Sequence, residues 1–148
     1  MEDLSGPSSS KSTGSLRRIS TEDKTEAFAY DPYGNVETIG NEEVTYTFVH
    51  DEKNRLRSRT DSRFGRSLAF EYDAADRVIR KTDYQGDVTE YQYDSTGRLV
   101  AERNAAYVQA SYHYDGAGRL LNRILSNGSQ SDYSYDAAGR LTALRLRT

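Results

Sequence analysis

Apolar and polar residues alternate one for one over short runs along most of the chain. Val44, Tyr46, Phe48 and His50 alternate with Thr45, Thr47 and Val49, while Leu68, Phe70 and Tyr72 alternate with Ala69 and Glu71. A period of two places successive side chains on opposite sides of a strand, so one face of each run gathers the aromatic and aliphatic groups. Between the runs lie Asp-Pro-Tyr-Gly, Asp-Tyr-Gln-Gly, Asn-Gly and similar turn-forming stretches. Second turns of this kind are marked by Gly40-Asn41, Asp83-Tyr84-Gln85-Gly86 and Asn127-Gly128. No segment carries a capped period of 3.6. The pattern predicts an all-β chain of roughly twelve short antiparallel strands, hairpin following hairpin.

The runs are copies of one unit. Tyr133 to Leu141 recurs as Tyr112 to Leu120, Tyr91 to Leu99, Phe70 to Val78, Phe48 to Leu56 and Phe28 to Val36. The aspartates Asp31, Asp51, Asp73, Asp94, Asp115 and Asp136 mark a step of 20, 22, 21, 21 and 21 residues. Three positions after each stands Gly34, Asn54, Asp76, Gly97, Gly118 or Gly139, drawn from the few residue types that tolerate a left-handed backbone. Asp opening a type I turn before a left-handed residue predicts a three-residue hairpin loop closed on a bulge. In the last copy Asp136 and Arg140 should flank that loop, with Tyr135 facing Leu141 and Tyr133 facing Ala143. Tyr72, Tyr93, Tyr114 and Tyr135, then Arg98, Arg119 and Arg140, then Leu99, Leu120 and Leu141, would form ladders along the sheet, because two strands per repeat set equivalent residues ~10 Å apart. Repeats should contact mainly their neighbours. Residues 1–10, small and polar, read as a flexible tail. Residues 11–24 read as a degenerate first repeat, with Lys11, Gly14 and Leu16 in the aspartate, glycine and leucine places. Residues 25–148 are the array.

Composition narrows the function classes. Only 35% of the 148 residues are hydrophobic, so a thick core is not expected, although the 12 tyrosines are placed in order rather than scattered. A net charge of -3 with no basic patch argues against nucleic acid as a partner. There is no cysteine, hence neither a disulfide framework nor a thiolate metal site. No run approaches the length of a membrane span, and Met1 to Ser15 lacks the basic and apolar regions of a signal peptide, so export would take another route.

The motif Tyr-x-Tyr-Asp-x-x-Gly-Arg-Leu at this spacing, clearest in Tyr93 to Leu99, Tyr114 to Leu120 and Tyr135 to Leu141, resembles the YD repeats of the Rhs family, which includes polymorphic toxins, Tc-toxin components and teneurins. The resemblance covers about residues 25 to 148. Departures from the motif are Asn35 for Arg, His50 for Tyr, and Asn54 and Asp76 for Gly. The resemblance implies a curved antiparallel strip that spirals into a hollow shell, in many members around a toxic polypeptide, and a secreted or cell-surface location. Six repeats are too few to wrap a cargo, so the expectation is an open fragment of such a shell. Its partners would be neighbouring YD sequence, a second copy paired through strand edges, or an enclosed toxin domain. The family's paired Asp-Pro motifs for self-cleavage are missing, and Asp31-Pro32-Tyr33-Gly34 lies in an ordinary repeat turn.

Candidate chemistry is sparse. Carboxylates ~10 Å apart cannot converge on one metal, so the aspartates are read as turn closers paired with the arginines opposite, Asp94 with Arg98, Asp115 with Arg119 and Asp136 with Arg140. His50 and His113 have no second ligand at metal spacing. No nucleophile elbow, zinc helix, phosphate loop or dinucleotide fingerprint occurs, and the chain is read as non-catalytic with no cofactor. Arg17-Arg18-Ile19-Ser20 resembles a kinase site and Asn127-Gly128-Ser129 is a glycosylation sequon, but the latter reads first as a turn. Tyr91, Tyr112 and Tyr133 carry the alternative reading, a cell-surface or carbohydrate-binding module that stacks sugars on an aromatic face. Solvent-open rings in a continuous row would favour it, and covered rings would favour the scaffold.

Overall fold

A computed structural model describes residues 16–21, 24–104 and 107–148. The tail at 1–10, and Lys11 and Gly14 of the degenerate repeat, lie outside them. The chain divides into two compact units, Met1–Ser67 and Leu68–Thr148. The described residues contain thirteen strands and no helix. The strand beyond the expected twelve is β1 (Leu16–Thr21), which begins at Leu16 of the degenerate repeat.

The first unit holds β1, β2 (Lys24–Tyr30), β3 (Val36–Gly40), β4 (Thr45–His50) and β5 (Leu56–Asp61), each antiparallel to the next. β6 (Arg66–Tyr72) starts at the border. The second unit continues with β7 (Val78–Thr82), β8 (Val88–Tyr93), β9 (Leu99–Asn104), β10 (Tyr107–Tyr114), β11 (Leu120–Leu125), β12 (Gln130–Tyr135) and β13 (Leu141–Arg147). There too every strand pairs with its neighbours in sequence and neither end strand pairs with the other, so the sheet is open.

Each repeat turn has the same construction. The aspartate N–H donates to the carbonyl of the residue four later, and the third residue's N–H donates back to the aspartate carbonyl, as at Asp115 with Arg119 (2.9 Å) and Gly118 (2.9 Å). That third residue has positive φ throughout: Gly34 at 88°, Asn54 at 61°, Asp76 at 63°, Gly97 at 87°, Gly118 at 80° and Gly139 at 79°. The returning strand then carries a bulge just past its first residue. In the last hairpin Tyr135 pairs with Leu141 and Ser134 with Ala143, which skips Thr142. The expectation that Tyr133 faces Ala143 is therefore wrong by one place. Tyr133 lies opposite Leu144, because the extra residue shifts the register of everything beyond it.

The second turns absorb the uneven repeat lengths. The 20-residue step from Asp31 to Asp51 contains a short turn, where Asn41 N–H reaches the Val44 carbonyl and Asn41 Oδ1 takes the N–H groups of Glu43 and Val44. The 22-residue step from Asp51 to Asp73 contains the longer turn Asp61–Gly65, which sequence reading did not single out. Gly40 is not itself in the turn: it ends β3 opposite Thr45, and a Cβ there would strike the Val44 carbonyl and come within 2.7 Å of Thr45 Cα. The sheet has little interior. Among the described residues only Ala101, Ala110 and Asp61 are buried, and the tyrosines and leucines that face one another are mostly half-buried.

Candidate functional site

Among the described residues the aspartate turn is a polar constellation that recurs from repeat to repeat. Each carboxylate is fully engaged. Asp94 Oδ1 accepts the N–H of Thr96 (2.9 Å) and of Arg98 (3.0 Å), and its Oδ2 accepts Arg98 Nε at 2.7 Å. Asp115 and Asp136 repeat this with Arg119 and Arg140 at 2.7 Å, and Asp51 and Asp73 with Arg55 and Arg77 at 2.7 Å. The donors stabilise the charged form. The Arg55 side chain in particular holds Asp51 down at about 2, and the Arg98 backbone N–H leads the groups that hold Asp94 lower still.

The arginine also reaches the next repeat. The Arg77, Arg98 and Arg119 guanidinium groups lie over the rings of Tyr93, Tyr114 and Tyr135 at 4.6, 5.0 and 5.0 Å, a cation–π arrangement. Nη1 of Arg98 and Arg119 approaches the carbonyl oxygens of Asp115 and Asp136 at 3.4 and 3.3 Å. In the opposite direction, the hydroxyls of Tyr93, Tyr114 and Tyr135 donate to the carbonyls of Val78, Leu99 and Leu120 at 2.7, 2.8 and 3.0 Å. Each repeat thus reaches forward with a cation and backward with a phenol. The left-handed glycines lie beneath these arms: a Cβ on Gly97, Gly118 or Gly139 would meet Nη1 of the preceding repeat's arginine at 3.4, 3.7 or 3.8 Å.

Three departures from the motif meet at one junction in the first unit. Asn35 stands in the arginine place, and its amide donates to its own Asp31 (2.9 Å) and to Oδ1 of Asn54 (2.9 Å), which stands in the glycine place. His50 is the residue in the tyrosine place. An amide is too short to reach the next turn alone, so a side chain on the left-handed residue meets it halfway.

Elsewhere the second turn at Asp61 holds a buried carboxylate, 8% exposed, against Nη2 of Arg63 at 3.0 Å, and the same Nη2 donates to the Tyr46 hydroxyl at 3.1 Å. Arg63 draws Asp61 below the usual carboxylate range despite its burial. Tyr91, Tyr112 and Tyr133 are half-buried. The Tyr112 hydroxyl donates to Glu102 Oε1 at 2.7 Å, and burial, with that carboxylate beside it, pushes the phenol up to about 12. His113 is exposed and its Nδ1 lies 2.8 Å from Asn122 Oδ1. Among the described residues no three His, Asp or Glu side chains converge as a metal site would require.

An open sheet of hairpins keyed together in this way defines a YD-repeat protein. The chain belongs to the teneurin YD-shell family, whose model matches residues 11–148. No curated protein sequence matches it. Among solved structures it is similar to TcdB2-TccC3-Cdc42 (17% identity, TM-score 0.67, 82% of this chain and 7% of that one). It is likewise similar to TcdB2-TccC3 without its hypervariable C-terminal region (18%, 0.67, 82% and 7%). TcdB2-TccC3-TEV matches at 13% with a TM-score of 0.64, over 90% of this chain and 9% of that one. The chain spans less than a tenth of the length of these relatives, and the likeness is one of fold.

Proposed function

We propose that this chain is a non-catalytic wall segment of a larger YD-repeat shell, one that encloses a toxic polypeptide and acts outside the cell that makes it. The observation that supports this best is the use of the polar side chains. In the second unit Asp94 and Asp115 hold Arg98 and Arg119, and these arginines and the tyrosines Tyr114 and Tyr135 are spent on one another across repeat junctions, which braces a wall. Family membership and the likeness to the TcdB2-TccC3 structures support the same reading. The alternative as a carbohydrate-binding module needs an open aromatic row. Tyr91, Tyr112 and Tyr133 are half-buried and the Tyr112 hydroxyl is engaged, so no observation favours it.

Electron microscopy of the chain expressed together with its flanking coding sequence tests the proposal. A hollow particle in which a following domain resists protease is expected. A particle without a cavity, or a following domain cut at the rate of a free polypeptide, overturns it.

A further inference from the structure

The turn that joins β11 to β12 repeats the backbone of the second turn Asp83–Asp87 without its carboxylate. In both, the first residue's N–H donates to the carbonyl of the fifth, and the fourth residue's N–H donates back to the first carbonyl. The pairs are Asp83 to Asp87 (2.9 Å) and Gly86 to Asp83 (3.0 Å), then Leu125 to Ser129 (2.9 Å) and Gly128 to Leu125 (3.0 Å). Asp83 Oδ1 also accepts the N–H groups of Gln85 and Asp87. Leu125 stands in that place with a hydrocarbon side chain. Asn127 supplies the side-chain bond instead, its Oδ1 accepting the Ser129 N–H at 3.0 Å. Asn127 and Gly128 are exposed, Gly128 has φ +86°, and beyond its chain neighbours nothing lies within 4 Å of where a Cβ would stand. The ladder behind the turn is short, with three paired positions between β11 and β12 against six between β12 and β13.

We propose that Asn127 and Gly128 are a self-modifying pair, at which the asparagine cyclises onto the glycine nitrogen and loses its amide. A solvent base removes the Gly128 amide proton and the nitrogen attacks Asn127 Cγ. The Cγ–Nδ2 bond then breaks, Nδ2 leaves as ammonia, and a five-membered succinimide remains. Water opens the ring in one of two ways: addition at Cγ gives aspartate in the ordinary backbone, and addition at the main-chain carbonyl gives isoaspartate, in which the chain runs through Cγ. The balance is amide plus water to acid plus ammonia, and nothing is oxidised or reduced. Three features select this place. Attack puts negative charge on Oδ1, which already accepts the Ser129 N–H, an oxyanion donor in position. Glycine brings no side chain against the forming ring, and none of the other five asparagines precedes a glycine. The Gly128 N–H has first to leave the Leu125 carbonyl, and a turn without the aspartate brace, ahead of a short ladder, opens at small cost. The two products differ in what they leave behind. Aspartate keeps an Oδ1 for Ser129, while isoaspartate adds a methylene to the backbone of a loop that two main-chain bonds close.

The test incubates the full 148-residue chain in neutral and in mildly alkaline buffer. Each asparagine is followed by peptide mass spectrometry, with the isoaspartyl and aspartyl products separated by chromatography. Asn127 should convert about ten-fold or more faster than any other asparagine, since a side chain on the following residue crowds the attack and raises its barrier. It should convert faster still in the alkaline buffer, because the glycine N–H has to be lost. Asn127→Ser, whose hydroxyl can accept the same N–H, should fold alike and stay unconverted. In the isoaspartyl product the Leu125 and Ser129 amides should lose the protection from hydrogen exchange that they keep in Asn127→Asp, a copy of the aspartyl product. A native chain in which Asn127 only matches the other asparagines, or converts only once denaturant has unfolded it, overturns the proposal. So does an isoaspartyl chain with both amides still protected.

Discussion

The aspartate that opens each repeat turn serves several donors at once, and each of them needs it charged. Because its folded-state pKa lies below its unfolded one, its stabilising effect is complete above the unfolded value and fades as pH falls through the folded one. For Asp51 that window runs from 3.8 down to about 2. The unfolding midpoint, followed by circular dichroism, should hold steady from neutral pH to about 4 and then drop, more shallowly in Asp51→Asn, whose turn no longer titrates. The residue three places on meets a different constraint. Gly118 has φ +80°, where a β-branched residue costs about 1–3 kcal/mol. Gly118→Val should lose about that much in chemical denaturation. Arg119→Ala should lose more than an exposed ion pair would suggest, because the guanidinium also covers Tyr135, a contact worth about 0.5–1 kcal/mol. Even so the glycine change should be the larger, and equal losses would mean that the left-handed turn is not what limits stability.

At the scale of strand and turn, the junction of Asn35, His50 and Asn54 is a natural experiment in which the usual arms are absent. Restoring the motif with Asn35→Arg, His50→Tyr and Asn54→Gly together should raise the thermal midpoint, while Asn35→Arg alone should not, since Asn54 would lose its amide partner. A triple variant no more stable than the parent would show that the asparagine pair is as good a coupling as the arginine and the ring. The sequence discloses hairpins well, because period-two alternation and left-handed turn residues are local properties. Gly97, Gly118 and Gly139 stand out on chemistry alone. The arms between repeats are not legible in this way. Arg98 meets Tyr114 across sixteen positions of sequence only because a bulge and a turn bring them together, and residue type does not disclose a bulge at Thr142. The turn at Asp61–Gly65 is hidden for a related reason: Asp61 and Ser62 prolong the polar run of Arg57, Ser58, Arg59 and Thr60, and Gly65 stands four residues on. Gly40 looks like a turn residue and is instead a point of close backbone approach.

At the scale of the molecule, each unit is a sheet one layer thick, and its stability is a sum over neighbouring repeats rather than the property of a central core. Such a sheet is vulnerable at its edges. β13 presents three exposed leucines beside Arg145 and Arg147, and the isolated chain is expected to self-associate through them. Sedimentation velocity over a concentration series should show this, with Leu144→Lys shifting the distribution toward monomer. A wild-type chain that remains monomeric throughout would mean the arginines protect the edge fully. The constant part of each repeat, from the tyrosine through the aspartate turn to the leucine, meets only the repeats on either side, and the variation in length is confined to the turns at Asn41 and Asp61. A gene encoding such a sheet can therefore grow by in-frame tandem copying: a duplicated repeat arrives with an arm for each neighbour, and every older junction keeps its geometry.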